Sequence, residues 1–136
     1  MSVNNDLAVV SGDVTTVRMR TARRVTCAAG WQRIEDDGFI GLVGPIFYLP
    51  FEDGVGRFRF SAEAKHQNRS GFVQGGMLMT FADRALGMTA RNGYLPRRQA
   101  TVQLSMDFAR TVTIGEDVEM ECRVSGQGHP VEGRNC

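Results

Sequence analysis

The chain has 136 residues, of which 42% are hydrophobic and 23% charged, with a formal net charge of +1. That length provides one core and therefore one domain, and so even a charge balance argues against a dedicated nucleic-acid binder, which needs a strongly basic face. No apolar run approaches the roughly 18 residues of a membrane span, and the N-terminus lacks the charged head and apolar core of a secretory signal.

Cys27, Cys122 and Cys136 are an odd number of widely spaced cysteines with no C-x-x-C pair. Free thiols in a reducing compartment follow, so the expected location is cytoplasmic, with no membrane partner, no metal site and no other cofactor.

Taken in order, residues 1–28 mix Asn, Asp, Ser, Thr and Arg without a clear period and are expected to form a disordered extension. Within them Arg18, Arg20, Arg23 and Arg24 make a small basic cluster. It reads as a solvated tail rather than a transit segment, because Asp6 and Asp13 dilute the charge. Residues 29–125 carry the domain. Gly30 to Asp37 is expected as a short helix broken by Asp36, Asp37 and Gly38. Two strands, about 45–52 and 55–64, then flank Asp53-Gly54, a strong hairpin signal. Phe58 and Phe60 alternate with Arg57, Arg59 and Ser61, so one face is buried and the other wet, while Pro50 suggests that the first strand is an edge or bulged strand.

His66 to Gly93 reads as a polar loop, a glycine pair and a helix of about four turns that Asn92 and Gly93 stop. Apolar residues at 77, 78, 79, 81, 82, 85, 86 and 88 go round nearly the whole circumference, which predicts a buried helix. A carboxylate on such a helix is costly unless it is paired or used, and Asp83 is therefore the first candidate for chemistry. Gly75 and Gly76 open the helix, where backbone N–H groups lack partners and the macrodipole is positive, so Gly75 is suited to an oxyanion. Asp83 lies a little over two turns further on, roughly 12 Å along the axis. One helix cannot bring both to one carbonyl, whereas two antiparallel helices in a symmetric dimer can.

Further strands are expected at 99–109, with Val102, Leu104, Met106 and Phe108 facing inward, and at 118–124, with Val118, Met120, Cys122 and Val124 inward. A long helix on such a sheet is an α+β layer arrangement. The tail, 126–136, is rich in glycine and has no apolar alternation.

His66, Asn68, Gly71, Gly75, Gly76 and Asp83 together form a pattern that resembles the signature of hotdog-fold acyl-CoA thioesterases, in the phenylacetyl-CoA-thioesterase-like branch: H-x-N-x-x-G-x-x-H-G-G, followed by a helix with an acidic residue. The resemblance covers about residues 30–125. It implies an antiparallel sheet wrapped round one long central helix, with a last strand inside the sheet that this chain lacks. It implies acyl-CoA as substrate and a homodimer or homotetramer as the working unit. The catalytic set it implies is Asp83 as base or nucleophile, Gly75 as oxyanion donor, Asn68 positioning thioester and water, and Thr101 holding the water. Gln74 stands where the family has His, so it can hydrogen-bond but cannot titrate. His66 is expected mainly to fix the loop, beside Gly76 at the substrate, and Arg97, Arg98 and Arg110 are candidates for the coenzyme A phosphates.

Two functions follow as expectations. The first is hydrolysis of an acyl-CoA thioester at a dimer interface. The second, favoured by Gln74 and the atypical tail, is a non-catalytic acyl-CoA-binding protein or an inactive truncated form. Hydration of enoyl-CoA is disfavoured, because no Asp is followed five residues later by His.

Overall fold

In the computed structural model, which describes residues 6–11, 15–22, 30–93, 100–101 and 103–124, the alternating stretches join into one antiparallel sheet. Its strands are β1 (Asp6–Ser11), β2 (Thr15–Ala22), β3 (Gln32–Arg33), β4 (Ile46–Tyr48), β5 (Val55–Ser61), β6 (Ser105–Phe108) and β7 (Asp117–Val124). They lie side by side in the order β3-β4-β5-β7-β2-β1-β6. The helices are α1 (Phe39–Val43) and α2 (Gly75–Gly93), with a 3₁₀ turn at Ala64–His66 before α2. This is the α+β arrangement expected from the sequence: one long helix, α2, packed on the centre of an antiparallel sheet at β5 and β7.

Period-2 alternation on β5 and β7 explains the packing. Phe58 and Phe60 on β5, and Val118, Met120 and Cys122 on β7, turn inward and are essentially fully buried. They meet Met77, Leu78, Phe81, Ala82 and Ala85 of α2, and the Phe60 and Phe81 rings cross edge to face with centroids 4.9 Å apart. The hairpin turn is the one the sequence announces. Asp53 and Gly54 both take positive φ, 51° and 72°, as a two-residue loop between twisted strands requires.

Several expectations are corrected. The N-terminal segment is not a disordered extension where it is described: residues 6–11 and 15–22 are strands. β2 pairs along its whole length with β7, from Thr15 opposite Val124 to Ala22 opposite Asp117, and β1 lies between β2 and β6. The sheet therefore has no vacancy beside β7 where a last strand was expected to be missing, because β2 fills it. Met19 of β2 is fully buried in the core, and Arg18 and Arg20 point the other way, opposite Glu121 and Glu119. Arg23 and Arg24, and the tail at 126–136, lie outside the described residues.

The short helix is also displaced. Residues 32–33 are a strand on β4, and the Asp36 carboxylate accepts the Gly38 N–H at 2.7 Å, holding a turn from which α1 starts. β4 lies between β3 and β5, so it is not an edge, and Pro50 falls beyond its end. Among the described residues, the strand expected at 99–109 is confined to Ser105–Phe108, and Phe108 is exposed rather than inward-facing; residues 99 and 102 lie outside the described residues. Finally, α2 is not buried all round: Gly76, Asp83, Gly87 and Arg91 form an exposed stripe.

Burial pushes the Cys122 thiol up from an ordinary 9.0 to about 12; the neighbouring Glu121 carboxylate adds to the rise and a hydrogen bond with Thr89 opposes it. The folded chain thus keeps a proton that the unfolded chain loses near pH 9. Stability from this group is complete below pH 9 and declines as pH rises toward 12. Urea midpoints of the native protein are expected to fall more steeply over that window than those of Cys122→Val. Parallel curves would show that Cys122 does not titrate with unfolding.

Candidate active site

The loop that delivers α2 is built on His66 and Asn68. His66 is buried, with its ring edge-to-face on Phe60 at 5.3 Å. Its Nδ1 accepts the Glu63 N–H at 3.0 Å, which leaves Nε2 as the donor to the Val43 carbonyl at 2.6 Å. Both ring nitrogens are occupied, so His66 ties the end of α1 to the start of the loop. Its own carbonyl accepts the Gln74 N–H at 2.7 Å and so fixes the residue before α2.

Asn68 holds the loop closed. Its Oδ1 accepts the backbone N–H groups of Ser70 and Phe72 at 2.9 and 3.2 Å, and its N–H donates to the Phe72 carbonyl at 2.7 Å. The carboxamide oxygen is thereby used within the loop, and Nδ2 is the part of the side chain left to meet a ligand. Gly71, at φ 84°, makes the reversal that this loop needs.

At the helix start the Gln74 carbonyl receives the Met77 N–H at 2.9 Å, and its side chain is exposed. The N–H groups of Gly75 and Gly76 precede the first helical bond and point outward with the positive end of the macrodipole behind them. A side chain at 75 would meet the Phe108 ring, whose Cζ lies 3.2 Å from where a Cβ would stand. Phe108 of β6 therefore walls Gly75. The sequence reading placed this residue in the core; the signal that finds it is the demand for a glycine at 75.

Further along the same helix, Asp83 Oδ1 accepts a hydrogen bond from the Thr101 hydroxyl. Both are exposed in the single chain. The expected catalytic carboxylate and the expected water holder are thus brought together, although they are 18 residues apart. Gly87, one turn on, has open space where a Cβ would be. Next to Asp83, Arg84 turns to the other side, 3.5 Å from Asp36, an ion pair that sequence reading did not anticipate.

Within one chain Gly75 and Asp83 remain two turns of helix apart, about 12 Å by helical rise. Arg110 binds the Thr21 hydroxyl and the Thr111 carbonyl, which engages its guanidinium with β2. Arg97 and Arg98 lie outside the described residues. No described helix is long and apolar enough to cross a membrane.

Residues 70–129 match the family described as the thioesterase superfamily. That span takes in Gln74, Gly75, Gly76, Asp83 and Thr101 and starts after His66 and Asn68. A Pseudomonas aeruginosa protein named "Putative esterase" is 31% identical over 90 residues, covering 65% of this chain and 67% of that protein.

Proposed function

The chain belongs to the thioesterase superfamily and is by that membership a hydrolase of hotdog fold, and from this premise we propose that it hydrolyses an acyl-CoA thioester to the free acid and coenzyme A at a site shared by two copies of the chain. The observation that carries the reading is the Asp83–Thr101 pair on the exposed stripe of α2, the helix that begins with the Gly75 and Gly76 N–H groups. Small residues at 76, 80 and 87 leave room for a second helix to approach this stripe. If that helix runs antiparallel, its glycine pair comes to the first copy's Asp83, which closes the 12 Å gap of the single chain.

In that arrangement the thioester carbonyl oxygen rests on the Gly75 N–H, with the Gln74 carboxamide and Asn68 Nδ2 as further donors. Thr101 fixes one carboxylate oxygen of Asp83, and the other takes a proton from water. The water oxygen forms a bond to the carbonyl carbon, charge collects on the oxyanion, and the C–S bond then breaks, with the coenzyme A sulfur leaving as the thiolate. Direct attack by the carboxylate, followed by hydrolysis of the anhydride, uses the same atoms. An aryl-acetyl thioester is the first acyl class to assay, because the H-x-N-x-x-G spacing resembles that branch.

A second reading is an acyl-CoA binder without turnover. Gln74 favours it, since a carboxamide replaces the ionisable residue that the family pattern carries at this position. Light scattering on the purified chain, followed by thiol release from a panel of acyl-CoAs, separates the two. The expected result is a dimer or tetramer that releases thiol. A folded oligomer that is stabilised by acyl-CoA and never releases thiol would establish the binder, and a folded monomer would overturn the shared site.

A further inference from the structure

The face of the sheet turned away from α2 carries a different set of groups. Where Met19, Phe58, Phe60, Val118 and Met120 point inward, their neighbours Arg18, Arg20, Arg57, Arg59, Glu119 and Glu121 point outward. Strand register lays them out in two rungs: Arg18, Glu121 and Arg57 lie across β2, β7 and β5, and so do Arg20, Glu119 and Arg59.

Each carboxylate is shared by two arginines. Glu119 holds Arg20 at 3.1 Å on one oxygen and Arg59 on the other, and Glu121 lies 3.5 Å from Arg57 and 3.2 Å from Arg123. Among the described residues, five guanidinium groups therefore share this face with two carboxylates. In each rung the Glu of β7 lies between an Arg of β2 and an Arg of β5, so one carboxylate offsets part of two guanidinium charges.

Arg18, Arg20 and Arg57, with Glu119, Glu121, Trp31 and Leu49, line a groove of about 330 Å³ floored by β5 and β7. Arg59 sits over the Trp31 ring, its Cζ 4.6 Å from the centroid, which fixes the indole at the groove's edge. The volume is at the lower end of the range for small-ligand sites, so it suits a mononucleotide and not a duplex. Guanidinium groups suit phosphate, and an indole with a leucine suits a planar base.

We propose that this groove binds a nucleoside phosphate, with the base against Trp31 and Leu49 and the phosphates on Arg20 and Arg57. The sheet separates it from α2, so it does not depend on the reaction proposed for Asp83. The same chemistry reaches the groove from a free nucleotide or from the nucleotide half of coenzyme A.

Trp31 is the single tryptophan of the chain, so its fluorescence reports the groove directly. Titration of the full-length protein with ADP is expected to change the emission saturably. Adenosine and pyrophosphate, each presenting half of the ligand, are expected to bind at least about tenfold more weakly, as the loss of one charge-assisted or stacking contact implies. Arg57→Ala is expected to weaken ADP by about tenfold to a hundredfold, and Arg57→Lys by less. Arg57 is exposed and Glu121 keeps Arg123, so circular dichroism and the thermal midpoint of both variants should match the native protein.

Coenzyme A run in parallel identifies the source. Affinity at least equal to that of ADP assigns the groove to the nucleotide of coenzyme A, and preference for ADP assigns it to a free nucleotide. Absence of saturable change, a response that folded Arg57→Ala leaves intact, or pyrophosphate binding as tight as ADP overturns the proposal. Because none of these readouts is turnover, a failure here leaves the thioesterase reading where it stands.

Discussion

Replacing Asp83 by Asn is expected to lower kcat for thioester hydrolysis on the order of 10²- to 10⁴-fold, the range associated with loss of a general base, while the protein stays folded and assembled. Asn is nearly isosteric and its Oδ1 still accepts from the Thr101 hydroxyl, so the local geometry survives. What is lost is the negative charge and the ability to take a proton. Asp83 is exposed in the single chain, so its replacement should cost the fold little, within about 0.5 kcal/mol for such a surface position. Thr101→Val should act through the carboxylate's position instead, lowering kcat by about tenfold to a hundredfold, the worth of one hydrogen bond to a charged group. Thiol-release kinetics on both variants, with light scattering on the same samples, checks the ordering. Near-normal turnover in Asp83→Asn would remove the carboxylate from the mechanism.

Asp83 sits differently from what the pattern of its helix predicts. A helix with apolar residues at 77, 78, 79, 81, 82, 85, 86 and 88 looked buried on every side, which made the carboxylate costly. In the folded chain the fully buried positions 77, 78, 81, 82 and 85 share one face, and Asp83 is on the open one. Burial in the monomer is therefore not what singles it out. Its hydrogen bond with Thr101 does so, and that pairing across 18 residues is made only in the folded chain.

Local chemistry was the most legible part. Asp53-Gly54 fixed a turn because few residue pairs tolerate positive φ twice, and the alternation on β7 gave its buried face because the strand is wet on one side only. The N-terminal strands were hidden for a physical reason. In Thr15–Ala22 the outward positions carry Arg18 and Arg20, which read locally as part of a basic, solvated tail. The Glu119 carboxylate that pairs with Arg20 is 99 residues away, and no local window contains it. Phe108 was misread for a related reason. Alternation predicts which side of a strand a residue takes, but not whether anything covers that side at a sheet edge, and β6 is an edge strand.

Deleting residues 1–28 should abolish cooperative folding, although sequence periodicity alone treats that segment as dispensable. β2 is an eight-residue strand paired along its length with β7, at the centre of the sheet. Its removal leaves β7 with an open edge of unpaired backbone groups, a template for aggregation. It also withdraws Met19, which is fully buried and packs with Met120 and Phe58 in the core. Truncating that one side chain, Met19→Ala, is expected to cost about 2–5 kcal/mol, against a total of about 5–15 kcal/mol for a native domain. Losing the whole strand, and with it β1, exceeds what such a domain can spare. The damage also reaches the site. β1 is the strand on which β6 is paired, so β6 loses its anchor, and the Phe108 wall over Gly75 goes with it. Met19→Ala should therefore unfold cooperatively at a lower urea midpoint, whereas the chain of residues 29–136 should aggregate or show no transition. A 29–136 chain with the native midpoint would mean that β7 finds its partner elsewhere, and the seven-strand order would have to be redrawn.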